Sequence, residues 1–206
     1  MSETVSGPVS RGFKPYPEYR DSGVEWLGGI PAHWEVKRTK HIFRVINGST
    51  PKSSEPEYWD GNIAWVTPDD LGSLFKPEII ETARRISIDG YRSCGTTLVP
   101  PNSLVLSTRA PIGHLAIAGT ELCTNQGCRC LVSHNEISSR FYYYMILAAK
   151  QELESLGQGS TFNELGKQEL EFVSLPFPSL SEQRAIADFL DRETARIDAL
   201  IERKQR

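Results

Sequence analysis

The apolar residues of this chain change rhythm along its length. Between residues 35 and 135 they come in short runs: HIFRVI, IAWV, TTLV, SLVLS, HLAIAG and CRCLV. The runs are separated by NGSTP, WDGN, TPDD, IDG, VPPN and APIG. Short runs between Gly, Pro, Asn and Asp clusters predict strands joined by turns and long loops. From Ser138 the period lengthens. FYYYMILAAKQELESL, capped by Ser138 or Ser139 and ended by Gly157, predicts a helix. A short strand-like stretch, ELEFVSLPFP, follows. The aromatic, Gly- and Pro-containing segment 16–34 predicts irregular structure packed on the core, and polar residues 1–15 predict a flexible tail.

The last segment has the strongest local pattern. Ser179 and Glu182 stand at capping-box spacing after Pro178. Ile186, Leu190, Ile197 and Leu200 hold heptad a and d positions, Glu193 interrupts the seam, and Phe189 and Ile201 widen it. Arg184, Asp188, Arg192, Arg196 and Glu202 fall on the opposite face, as on a solvated or inter-helix surface. A helix from Ser181 to Arg206 would be about 39 Å long, more than a compact domain of this size needs. The stripe therefore predicts a partner helix. IERKQR carries no Gly, Asn or Pro stop, so the helix is expected to continue beyond Arg206 or to find its mate on a second copy. The whole pattern predicts an α+β fold. A β-rich domain with long loops and one or two short helices spans 16–177, and a protruding long helix of coiled-coil type spans 178–206.

Composition narrows the class. With 206 residues, 39% hydrophobic and 24% charged, the chain is ordinary for a globular protein. A net charge of −3 argues against a non-specific polyanion binder. The charge is uneven, however. Residues 36–54 hold Lys37, Arg38, Lys40, Arg44 and Lys52 without an acid, whereas residues 55–80 hold six acids and one base. No apolar leader opens the chain, and the apolar run Phe141–Ala149 is too short for a bilayer. A cytoplasmic setting is expected, with Cys94, Cys123, Cys128 and Cys130 reduced.

Catalytic signatures are missing. There is no GxGxxG or GxxxxGK[ST] phosphate loop, no GxSxG elbow and no HExxH helix. No Asn-Pro-Pro-aromatic or Asp-Pro-Pro-aromatic string of the amino-methyltransferase kind occurs; the nearest, Val99-Pro100-Pro101-Asn102, reads as a turn. Asp69-Asp70 after Pro68 could serve a magnesium ion, but acids also suit the first turn of a helix. Cys123, Cys128 and Cys130 with His114 or His134 could serve zinc, but CxxC pairs are absent, and a Cys-x-Cys in a strand buries both thiols on one face. Tyr58, Trp59, Trp65 and the Phe141–Tyr144 run suit a core better than a base-stacking platform.

Several strings occur in a shared order: GGIPAHWE, INGSTP, PEYWDGNIAWVTPDDLG, VPPNSLVLSTRAPIGHLAI, TNQGC and GSTFNELGKQELEFVSLPFPSLSEQRAIADFL. In this the chain resembles the DNA specificity subunit of type I restriction–modification systems, from about Tyr16 to the end. The resemblance implies a non-catalytic subunit with two target-recognition domains. Each domain is followed by a long helix, and the two helices lie antiparallel as a spacer. Each domain reads one half of a bipartite double-stranded DNA sequence. Two methyltransferase (modification) subunits bring S-adenosylmethionine and the adenine-methylating site, and restriction subunits join later. No cofactor or metal is implied for this chain. Only one recognition domain and the start of one helix are present. The second half is expected in cis in a longer chain or in trans as a homodimer.

For such a reader, NGSTPKSS is the leading loop, with Thr50, Lys52, Ser53 and Ser54 as donors bent outward by Gly48 and Pro51. Arg84, Arg85 and Arg92 flank a second loop, and Arg is the usual reader of guanine. Arg109 in STRAPIG and Asn125-Gln126 in TNQG belong to the shared framework, so structural or phosphate-contacting roles come first for them. Ile186, Phe189, Leu190, Ile197, Leu200 and Ile201 are the expected helix-partner interface. Two rivals remain: a magnesium-dependent nuclease built on Asp69 and Asp70, and a helix-dimerising adaptor indifferent to DNA.

Overall fold

A computed structural model describes residues 15–158 and 163–205. The expected tail, apart from Pro15, lies outside the described residues. In chain order the elements are β1 (Tyr19–Asp21), β2 (Gly29–Pro31), β3 (Glu35–Arg38), α1 (Thr39–Ile42), β4 (Phe43–Asn47), β5 (Trp59–Val66), α2 (Pro68–Gly72), β6 (Glu78–Ile79), β7 (Arg85–Ile86) and α3 (Ile88–Ser93). They continue as β8 (Leu104–Ser107), β9 (Leu115–Ala118), β10 (Leu122–Thr124), β11 (Cys128–Ser133), α4 (Ser139–Ala148), α5 (Lys150–Gln158), α6 (Lys167–Phe172), β12 (Ser174–Phe177) and α7 (Leu180–Gln205).

The centre is a five-stranded sheet in the order β4-β11-β8-β9-β6. Side chains alternate across a strand, so the longer strands feed two cores. Leu104, Leu106, Leu115, Ile117 and Leu131 face α4, where Phe141 and Tyr142 are fully buried. Val105, Ala116, Ala118, Cys128 and Cys130 face the other way, toward Ala64, Val66, Leu71 and Leu122. That second layer includes strands of a smaller sheet, β10-β5-β7. The alternation of β5 then repeats the device: Ala64 and Val66 point at the central sheet, while Trp65 joins Trp59, Ile86 and Cys123 in a third core. Cys128 and Cys130 share one core, as the Cys-x-Cys spacing predicts. Burial raises all three inner thiols, Cys123 and Cys130 to about 12 and Cys128 further.

Most expected runs form strands, with four differences. In HIFRVI the first two residues close α1, because the Thr39 N–H and hydroxyl both donate to the Val173 carbonyl, at 2.8 and 3.0 Å, and turn the chain there. TTLV contributes only the bridge from Val99 to Leu122. Gly157 lies within α5 rather than ending a helix; a Cβ there would sit 2.3 Å from Ile112 Cδ1, so the residue serves close packing. The helix breaks earlier, at Ala149. In ELEFVSLPFP the first half is helical, within α6, where Lys167 and Glu171 pair at 3.6 Å, and only Ser174–Phe177 pairs with β3. Before α7 the described residues thus hold six short α-helices and a 3-10 turn at Pro56–Tyr58.

The opening segment is a β1-β2 hairpin whose aromatics reach the core: Trp34 meets Phe141 edge-on at 6.5 Å. It also meets α7. Ser179 and Glu182 form the expected capping box, and Glu182 Oε1 accepts from His33 Nε2 at 2.7 Å and Trp34 Nε1 at 3.1 Å. From there α7 runs 26 residues, about 39 Å at about 1.5 Å per residue. No helix among the described residues is long and apolar enough to cross a membrane.

Candidate nucleic-acid interface

The third core carries the candidate loops. Residues 48–55 follow β4 and lie against the smaller sheet, held by two indoles: Trp65 Nε1 donates to the Ser49 carbonyl at 3.0 Å, and Trp59 Nε1 donates to the Lys52 carbonyl at 3.2 Å. The Ser49 N–H donates to the Thr124 carbonyl at 2.9 Å. Gly48 is dictated by this contact, since a Cβ there would lie 1.9 Å from the Asn125 carbonyl oxygen. Pinned in this way, Thr50, Lys52, Ser53 and Ser54 are exposed. Lys52 is loosely paired with Glu55 at 3.9 Å, and the Thr50 hydroxyl donates to Gln126 Oε1.

Arg84 and Arg85 enter the same face from β7 and the turn before it. The Arg84 guanidinium lies 3.5 Å over the Trp59 ring. Arg85 is exposed and donates through Nη2 to the Asn62 carbonyl at 2.8 Å. Arg92 is exposed on α3, whose N-cap Ser87 ties it to this unit by donating from its hydroxyl to the Glu57 carbonyl at 2.6 Å. The fold therefore brings Thr50, Lys52, Ser53, Ser54, Arg84, Arg85 and Arg92 onto one small unit around Trp59 and Trp65. Both rings are buried, as the core reading of these aromatics requires.

Arg109 stands apart. Its Nε donates to Glu164 Oε2 at 3.0 Å, and Arg129 reaches the other oxygen of the same carboxylate at 3.3 Å. Arg129 also donates to Asn47 Oδ1 at 3.2 Å, which links this cluster to the start of the 48–55 loop. The TNQG turn supports both sides, with the Gly127 carbonyl accepting from the Thr108 N–H at 2.8 Å. Asp70, one of the two acids offered to magnesium, has its carboxylate engaged. Oδ2 accepts from the Thr67 N–H and hydroxyl at 2.8 and 2.6 Å, and Oδ1 accepts from the Ala83 N–H at 2.8 Å.

Residues 31–206 match the type I restriction modification DNA specificity domain. The chain belongs to that family. It is 36% identical over 196 residues to the specificity subunit of the type I restriction enzyme MjaIX of Methanocaldococcus jannaschii, covering 94% of this chain and 44% of that protein. It is 24% identical over 199 residues to the EcoR124I/EcoR124II specificity subunit of Escherichia coli, covering 93% and 48%. The HsdS subunit from Thermoanaerobacter tengcongensis has the same fold, with a TM-score of 0.65 at 23% identity over 88% of this chain and 41% of that one. The chain spans less than half the length of these relatives.

Within this specificity domain, sequence reasoning missed Arg129 and Glu164. Arg129 sits in the apolar run CRCLV, and its partner lies 35 residues on, so no local spacing announces the pair. The α7 stripe also divides. Ile186 packs partly on the main core and Phe189 and Leu190 are half-buried, whereas Ile197, Leu200 and Ile201 are 53%, 51% and 49% exposed. On the charged face, read as solvated or inter-helix, two residues take the second course. Arg184 pairs with Glu136 at 2.6 Å and Asp188 with Arg140 at 2.6 Å, because α4 and the segment before it present opposite charges there.

Proposed function

We propose that this chain recognises one half of a bipartite double-stranded DNA target. In this role it directs adenine methylation, and restriction, by partner subunits of a type I restriction–modification complex. Membership of the specificity-domain family across 31–206 carries the reading. Residues 16–177 act as the target-recognition domain and 178–206 as the spacer helix. The exposed donors around Trp59 are the base- and phosphate-contacting set, since phosphate contacts fix register and base contacts specify sequence. Arg109, committed to Glu164, contributes to the loop framework first and reaches phosphate second. Two methyltransferase subunits supply S-adenosylmethionine and the methylating chemistry, restriction subunits join the complex, and this chain contributes no catalytic group. The mate for the α7 stripe is a second recognition half, in cis or on a second copy. The complex works in the cytoplasm.

The test is to co-express the gene encoding this chain with its methyltransferase partner in a methylation-free host and map N6-methyladenine. A bipartite motif is expected. Two different halves would mean two different recognition domains, and a palindrome would mean two copies of this one. An assembled complex that leaves no methylation would overturn the reading and favour the adaptor role.

A further inference from the structure

Trp59 is a shared anchor for two cations from separate loops. Its indole N–H holds the Lys52 carbonyl at 3.2 Å, and its face carries the Arg84 guanidinium at 3.5 Å. Trp65 braces it edge-on, with ring centroids 5.2 Å apart and planes at 81°. The Arg84 main chain is fixed as well. Its carbonyl accepts the Thr82 hydroxyl at 2.6 Å, and Thr82 Oγ1 accepts the Trp65 N–H at 3.3 Å. The rings are buried while Arg84 and Lys52 are exposed. Among the described residues no carboxylate lies within ion-pairing distance of Arg84.

These two cations are built for different tasks. A guanidinium held over a ring face is confined by it, so its planar N–H fork gives up less freedom when it meets a planar acceptor pair. Guanine offers such a pair, O6 and N7, in the major groove. Lys52 is a point charge on a flexible stem beside a loosely held Glu55, which suits a phosphate. Resting on the DNA-recognition reading above, we propose that Arg84 reads a guanine edge in the major groove from the Trp59 face, and that Lys52 grips the adjacent phosphate backbone.

The experiment maps adenine methylation by the assembled methyltransferase complex carrying wild-type protein, Arg84→Lys, Arg84→Ala or Lys52→Ala. Binding of the same complexes to duplexes is followed by fluorescence anisotropy across a salt series. The wild-type motif should contain a G·C pair that becomes degenerate in both Arg84 variants. Discrimination there should fall about 10- to 100-fold, with every other position intact. Lys52→Ala should weaken all sequences alike and reduce the salt slope by about one. Trp59→Phe, which keeps a ring face, should preserve the position, and Trp59→Leu should make it degenerate. If Trp59→Leu fails to fold, the Arg84 variants decide alone, being surface changes. An unaltered motif in both Arg84 variants would overturn the proposal. So would a uniform loss in Arg84→Ala that Arg84→Lys restores, since that marks a phosphate contact. A wild-type complex that leaves no motif would overturn the recognition reading, and this proposal with it.

Discussion

Glu182 shows how much one side chain can join. Its Oε2 accepts from the Ser179 hydroxyl at 2.6 Å and N–H at 3.3 Å, closing the start of α7, while Oε1 holds His33 and Trp34 from the opening segment. Burial pushes its pKa up, but the bonds from Ser179, His33 and Trp34 outweigh this and hold it at about 2, against an ordinary 4.5. A carboxylate whose pKa is lower in the folded state stabilises fully above its unfolded value and loses that contribution as pH falls toward the folded value. The urea midpoint of the wild type should therefore fall between pH 4.5 and about 2 more steeply than that of Glu182→Gln. Circular dichroism at fixed ionic strength reads this, and parallel acid limbs would remove Glu182 from the account. The capping box was legible because its partners lie three positions apart. His33 and Trp34 were not, because no periodicity spans the distance between them and α7. Trp59 had the same fate: its burial was legible, but its tie to Lys52 and Arg84 arises only when two loops meet.

α7 presents two lines of residues. Its first half docks through Gln183, Ala187, Asp191 and Thr194. Gln183 and Ala187 are buried, the Tyr144 hydroxyl donates to Asp191 Oδ1 at 2.7 Å, and Tyr144 and Thr194 share a hydrogen bond at 3.3 Å. At about 100° per residue, this line stands roughly a quarter-turn from the heptad stripe. The stripe is partly covered where α7 docks, at Ile186, Phe189 and Leu190, whereas Ile197, Leu200 and Ile201, further along the helix, stay uncovered among the described residues. Changing these three to Glu should alter the thermal stability of the chain by no more than about 0.5 kcal/mol per site, as for surface positions. It should nevertheless abolish pairing with a second recognition half, read by light scattering or co-purification. A melting temperature that collapses instead would place the stripe within the domain's own core. The heptad stripe announced itself in sequence through local repetition. The docking line did not, being made of small and polar residues whose value depends on Arg140 and Tyr144 of α4. Strands with turn signals on both sides were equally readable, whereas the two-residue β6 and β7 exist only through their neighbours.

For the whole molecule, a net charge of −3 sets the energetics of any contact with DNA. Few cations face the candidate surface, so in the proposed role affinity would rest on a few phosphate contacts and on partner subunits. If Lys52, Arg85 and Arg92 each neutralise one phosphate, the slope of log affinity against log salt is about −2.7, or roughly 40-fold weaker binding at 200 than at 50 mM. The isolated chain should bind its target weakly and with this dependence in anisotropy titrations. Tight, salt-indifferent binding would contradict it. The partition of the interior bears on how such a protein changes over generations. Trp59, Trp65, Ile86 and Cys123 form a core of their own behind β5, separate from the packing that holds the central sheet to α4 and α7. Residues 50–54 and 80–93 lean mainly on this small core, with ties to Asp70 and Gln126 beside it. If the proposed role holds, a lineage under pressure to change its target could vary these exposed segments while the core that seats α4 and α7 is left untouched.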